Sequence, residues 1–446
     1  MDDVLLLSRL QFAMTVAFHF IFPPISIGLA WLLTCLEWRS WKKNDIAAGN
    51  LARWVGYFFA VTFAVGVATG ITMEFQFGMN WSRYSKYVGD IFGAPLAAEG
   101  IFAFFLESVF LGVYLFGRKK LPKFWHWFSI LMVSIGATIS AFWIIVANSW
   151  QQTPAGFKFN EAMGRAELTS FFDAVFNPST LPRFFHTVAA CIAVGGFFLA
   201  GAAAYRMLKN KQEAEAQIGL RTGLITAFVF SVLIAFPFGD WHAKQVARTQ
   251  PEKFATMEGL IEGRKQAPLL AFGIPRENPS RIDYAIEIPY MASFMVHGDK
   301  DAYVPGINDF PEDEVPPFTL TFVSFHTMVG LGALMIGISA LGLFLMWKRK
   351  LQDNPLFLKA LVVMIPIPTI AMQLGWMTAE VGRQPWVVYK LLKTSDAFSP
   401  TVGAGEVLAS MILFGVIYLL LGGIWLFLLA KGFKTPPNSY QKEVSQ

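Results

Sequence analysis

The chain reads as an all-α, polytopic membrane bundle of nine transmembrane helices. Nine long apolar runs fill most of its 446 residues, and charge is scarce: 54% of residues are hydrophobic and 15% charged, against about 25% charged in a soluble domain. Basic residues also concentrate in alternate connectors, which gives the bundle a direction.

The runs fall at roughly 12–36, 54–73, 95–116, 125–147, 184–205, 222–238, 319–347, 360–379 and 406–430. Each approaches the ~20 residues that cross a bilayer as a helix. They are too long and too continuously apolar for barrel strands. Pro23-Pro24 and Pro366/Pro368 should bend spans one and eight. Arg39, Lys42, Lys43 and Arg53 flank one connector, and Arg118, Lys119, Lys120 and Lys123 the next on that side. Arg206, Lys209, Lys211 and Arg221 follow, then Lys348, Arg349, Lys350 and Lys359. The segment 74–94 has only Arg83 and Lys86. The positive-inside rule therefore puts the N-terminus outside and the C-terminus in the cytoplasm.

The chain divides into spans one to six (1–238), a long outer insertion (239–318), spans seven to nine (319–431) and a polar tail (432–446). The insertion is too long for a plain connector and reads as a functional loop. The stretch 148–183 is a second outer loop. The first apolar stretch reads as a retained span, because MDDVLLLSRL lacks the positive start of a signal peptide. The pI near 9.0 reflects the connector clusters, and no nucleic-acid motif accompanies them. Cys35 and Cys191 have no metal-ligand spacing, and no CxxCH is present.

Ionisable groups in hydrocarbon are expensive and usually face a protein interior, a cavity or a cofactor. His19, Glu74, Glu99, Glu107, His186, Met328 and Glu380 lie in or at the ends of the spans. With the orientation above, His19 lies about 10 Å below its outer end. His186, Met328 and Glu380 fall in the same half of the bilayer. His and Met are also side chains that bind haem iron axially. Glu99 and Glu107 are eight residues apart, about 12 Å along an ideal helix and roughly 80° around it. With His126, Ser140 and Asn148 on span four they suggest a proton path from the inside. In GWMTAEVGRQPW (375–386), Glu380 is a candidate iron ligand or proton acceptor. Arg383 is a candidate partner for a carboxylate, and Trp376 could pack on a flat cofactor. The residues alone also permit an ion or solute transporter, or a non-enzymatic haem-bearing assembly subunit.

GWMTAEVGRQPW, SFHTMVG, RFFHTVAA and FHFIFPP together resemble subunit I of the cytochrome bd family of quinol oxidases, over nearly the whole chain. The resemblance implies a bacterial cytoplasmic-membrane quinol:oxygen oxidoreductase. It would generate proton motive force by releasing and taking up protons on opposite sides, without a pump. It implies a low-spin haem b558 on His186 and Met328, a high-spin haem b595 on Glu380, and haem d, or a haem b replacing it, on His19. Glu99 falls beside the oxygen site, Glu107 on the proton path, and Trp376 and Arg383 around the high-spin haems. Lys253 and Glu258, in QPEKFATMEG, fall in the quinol-binding loop. The implied partners are a membrane quinol, O2, a homologous subunit II, a small third subunit and phospholipid, with no nucleic acid. His326 departs from the pattern, since some members carry Arg there.

Overall fold

A computed structural model describes residues 2–211, 213–277 and 281–439. Among them, nine helical spans are long and apolar enough to cross a bilayer. They are Asp3–Lys43, Ile46–Met79, Ser82–Gly117, Lys123–Gln152, Thr180–Lys209, Ala214–Thr249, Phe318–Trp347, Pro355–Val381 and Ala404–Lys434. The expected all-α bundle is therefore the observed one. Span one breaks between His19 and Phe22, just before Pro23-Pro24, and span eight between Val363 and Ile367, at Pro366. Proline lacks the amide that would continue the helix.

Several spans overrun their apolar runs. Span two continues to Met79 and span three restarts at Ser82, so the connector expected over 74–94 is only Asn80-Trp81. The extra turns persist because their polar side chains are answered by span one. Gln76 donates to Thr15 Oγ1 at 2.6 Å, and Asn80 donates to Gln11. Span six likewise passes residue 238: the chain is non-helical at Phe236 and the helix resumes over Asp240–Thr249.

Span three contains a π-helical turn over Glu99–Phe104. Such a turn bonds i to i+5 and admits one extra residue. The 80° separation expected for Glu99 and Glu107 assumed an uninterrupted α-helix and does not apply.

Span five is the axis of the bundle. A Cβ on Gly195 would lie 2.5 Å from the Gly28 carbonyl carbon, so spans one and five touch backbone to backbone. A Cβ on Gly223 would lie 2.5 Å from Ala200 N, which brings span six equally close. Small residues permit such approaches, and van der Waals contact then replaces the hydrophobic drive that lipid cannot provide.

The insertion is folded. Helix Pro251–Glu258 ends at Gly259, whose φ of 71° is left-handed. Strands Leu269–Arg276 and Arg281–Ile288 form an antiparallel hairpin, and helix Met291–His297 follows. Phe254, Met257, Leu260 and Val304 join Phe318 and Phe322 of span seven in one apolar cluster. The loop 148–183 carries its own hairpin, Phe157–Asn160 with Arg165–Leu168. The last helix ends at Lys434, and residues 440–446 of the expected tail lie outside the described residues.

Candidate functional site

Spans four and eight end, and span five begins, at one pole of the bundle. Here Glu380 Oε1 accepts from Asn148 Nδ2 at 2.9 Å and from Arg383 at 3.3 Å. Its Oε2 accepts from Arg383 at 2.5 Å. Arg183, from span five, donates to Asn148 Oδ1. Two guanidiniums thus attend one carboxylate, leaving excess positive charge for a further anion. A carboxylate has about four acceptor sites. Three are used, so one can still reach a metal. The Trp386 indole N–H is buried there without a partner.

Lys253 joins the insertion to this pole. Its Nζ donates to the Ala379 carbonyl at 2.9 Å and to Gln152 Oε1 at 3.1 Å. Gly382 makes room for it, since a Cβ there would lie 3.0 Å from Lys253 Cε. Burial, with Arg183 and Arg383 nearby, holds the Lys253 ammonium well below its ordinary range. Glu258 is also buried, its Oε2 has no partner, and burial pushes its carboxyl up to about 8. Both loop residues therefore sit beneath the loop rather than on its open face.

His186 follows Arg183 by three residues, on the same helix face. Its ring lies 5.6 Å from that of His242. The Ile234 carbonyl lies near the His186 ring, whose Nδ1 is buried with no hydrogen-bond partner. Met328 projects into the seam between spans seven and eight, where a Cβ on Gly375 would lie 2.8 Å from its sulfur. His326 is engaged elsewhere: Nδ1 is 3.1 Å from the Phe322 carbonyl and Nε2 3.1 Å from that of Leu270 in the hairpin.

His19 lies at the break in span one, against Gly70 of span two. Its Nδ1 is 3.0 Å from Thr69 Oγ1. The Thr69 hydroxyl donates to the Val65 and Gly66 carbonyls, each at 3.0 Å. With that proton committed, Thr69 accepts from Nδ1–H, which leaves the lone pair of His19 on Nε2. A metal-binding imidazole is commonly fixed this way by its other nitrogen.

These side chains suit porphyrin iron better than a bare ion. No group of three or more His, Cys, Asp or Glu among the described residues could hold a metal ion. Haem iron, by contrast, takes single His or Met donors from a bundle wall. His19 with a free Nε2, His186 with an unanswered ring nitrogen and Met328 in its glycine-made slot fit that requirement.

A second series of groups follows span four toward the opposite pole. Ser140 donates to Glu99 Oε1 at 2.7 Å. Glu107 is buried against Gly136, whose Cβ would lie 3.3 Å from its own. Ser134 Oγ lies 2.9 Å from Thr34 Oγ1. His126 Nε2 is 3.0 Å from the Tyr114 carbonyl, and Nδ1 is 3.7 Å from Glu37 Oε2. From His126 to Asn148 is about 33 Å of helix, roughly the thickness of a hydrocarbon core.

The structure thus brings Glu380, Arg383, Asn148 and Lys253 together, and separately pairs Glu99 with Ser140. Glu107 and His126 stand lower, and Glu74 is exposed on the bundle surface. Arg183, Thr69 and Glu37 were not singled out by sequence. Arg183 has a readable signal in its i, i+3 spacing to His186. Thr69 has none.

A profile of the family described as "Cytochrome bd terminal oxidase subunit I" matches residues 7–437. The chain is 38% identical to "Cytochrome bd ubiquinol oxidase subunit 1" of Bacillus subtilis, over 96% of this chain and 93% of that one. It is 32% identical to "Cytochrome bd-II ubiquinol oxidase subunit 1" of Escherichia coli, over 99% of each. "The structure of bd oxidase from Geobacillus thermodenitrificans" superposes with a TM-score of 0.90, at 32% identity, over 97% of this chain and 98% of that one. The chain belongs to the cytochrome bd terminal oxidase subunit I family.

Proposed function

We propose that this terminal-oxidase subunit oxidises a membrane quinol at its Glu380 pole and reduces O2 to water. Protons are released on that side and taken up from the other, so proton motive force arises without a pump. In this reading the Glu380 pole faces outward, by the positive-inside rule, in a bacterial cytoplasmic membrane. A homologous subunit II, and a small third subunit, complete the assembly. Low-spin haem b558 is held by His186 and Met328, high-spin haem b595 by Glu380, and haem d, or a haem b in its place, by His19. Bound haem supplies one-electron transfer and oxygen binding.

The chain's own residues orient and protonate. Each quinol gives up two electrons and two protons beneath the insertion. Glu258 Oε2 is buried and unpartnered, and burial favours its protonated form below about pH 8, so it would relay a quinol proton only after giving up its own. Lys253 pins the loop to the Ala379 carbonyl, one residue from Glu380. Arg183 and Arg383 offset negative charge at the pole, where the Trp386 indole N–H is also buried. Thr69 holds His19 with Nε2 free. On the opposite side His126, Glu107, Ser140 and Glu99 pass protons toward the oxygen site.

The observation that carries this reading is the gathering of Glu380, Arg383, Asn148, Arg183 and Lys253 at one pole, with His186 one turn away. A reduced-minus-oxidised spectrum of the purified complex, followed by carbon monoxide, tests it. Low-spin bands together with a carbon-monoxide-sensitive high-spin signal are expected. Absence of porphyrin absorption would favour a transporter, and low-spin bands alone an assembly subunit. His186→Ala should remove the low-spin bands from a folded complex.

A further inference from the structure

At the pole opposite Glu380, a cavity of about 320 Å³ opens between the first four spans. That size lies within the range of ligand pockets, roughly 300–1,000 Å³. It is lined by Arg53, Arg118, Lys119 and Lys123 against two carboxylates, Glu37 and Asp45.

Both carboxylates are already engaged. Glu37 accepts from the Tyr114 hydroxyl at 3.1 Å and from Arg118. Asp45 accepts from Arg39 at 2.7 Å and from the Ala48 amide at 3.0 Å, where it caps span two. Arg53 feels the charge of Glu37 but forms no ion pair among the described residues. It makes one long hydrogen bond, from Nη1 to Asn50 Oδ1 at 3.4 Å, and its Nε is buried with no acceptor. A guanidinium offers five donors in a rigid fork. A buried guanidinium nitrogen without an acceptor is costly, and an anion in the cavity would answer it more strongly than water. Lys123, at the rim, spends one donor on Asn44 Oδ1 at 2.9 Å and has two more.

We propose that this cavity binds a phosphate group through Arg53 and Lys123, either an anionic phospholipid headgroup or free inorganic phosphate. Guanidinium forks match phosphate oxygens in geometry and charge. Basic pockets between transmembrane helices are known to take lipid headgroups. The site is separate from the haem-binding pole and does not depend on the quinol reading.

The test uses the assembled, purified complex and two probes at fixed ionic strength. One probe is inorganic phosphate. The other is phosphatidylglycerol in phosphatidylcholine vesicles, compared with phosphatidylcholine alone. Thermal midpoints and lipid retained in native mass spectra are the readouts. Arg53→Gln should weaken the response roughly ten-fold, as expected for losing a charge-assisted hydrogen bond. Lys123→Gln, at an exposed position, gives a second variant should Arg53→Gln fail to fold. Lys348→Gln, on an exposed basic turn elsewhere, is the control. A response to phosphate alone assigns a small-anion site, and a response to phosphatidylglycerol alone assigns a headgroup site. No response to either probe, or an equal loss in the Lys348 control, overturns the proposal.

Discussion

Spans five and nine invert the rule learned from soluble proteins. Span nine is the more apolar, with a mean hydropathy of 2.6 over an 18-residue window against 2.0 for span five. Yet only 11% of that window is buried in span nine, against 83% in span five. Leucine-rich sequence marks the surface here, because lipid solvates it as well as protein does. Glycine and alanine mark the interior, because they let backbones meet. Hydropathy finds the helices of such a bundle, and side-chain size tells which are inside.

The largest test of this contrast is Gly195→Val. Its Cβ would lie 2.5 Å from Gly28 backbone, which cannot move aside as a side chain can. A loss of about 3 kcal/mol is expected, read as a lower thermal midpoint and poor recovery of assembled complex. A stable variant would mean that spans one and five do not cross this closely.

Thr69→Val should cost about 1 kcal/mol by removing the hydroxyl from the His19 ring and leaving the Gly66 carbonyl as its remaining partner. It should also alter the high-spin haem spectrum, while Thr69→Ser restores it. An unchanged spectrum in Thr69→Val would break the tautomer assigned to His19.

Glu258 extends the comparison to the insertion, where a helix of polar sequence is nonetheless buried. Its carboxyl rises from 4.5 to about 8 on folding. A group whose pKa rises holds its proton more tightly in the folded state. Its stabilising contribution is complete below about 4.5 and gone once pH passes about 8. Relative to Glu258→Gln, the parent protein should therefore lose stability as pH climbs through that window. Parallel midpoint curves for the two proteins would show that Glu258 folds ionised.

The smallest effect belongs to span nine. Leu419, exposed on its surface, should tolerate Ala with less than about 0.5 kcal/mol lost. A larger loss, seen only in the assembled complex, would place a partner subunit against that face.

The nine spans were legible because lipid demands long apolar runs, and the proline breaks because proline cannot donate. Helix ends were not. Gln76 and Asn80 look like connector residues until Thr15 and Gln11 are seen to answer them. Glu380, Arg383, Asn148 and Lys253 were legible as chemistry, but their common network was not, since its longest link, Asn148 to Glu380, joins positions 232 residues apart. The π-turn at Glu99 has no sequence marker at all. Lys253 and Glu258 read as loop residues because their neighbours are polar. Phe254 and Met257 on the same short helix are what draw it under the loop.

His326 gives the insertion a mechanical role. One ring nitrogen faces the hairpin carbonyl of Leu270 and the other the span-seven carbonyl of Phe322, and Met328 stands two residues along from His326 itself. A neutral imidazole donates through one nitrogen only, so one of these two carbonyls is its acceptor and the other a close polar neighbour. Hairpin and span seven thus meet at one ring two residues from the Met328 thioether, which makes the insertion an anchored part of the bundle rather than a flap laid over it.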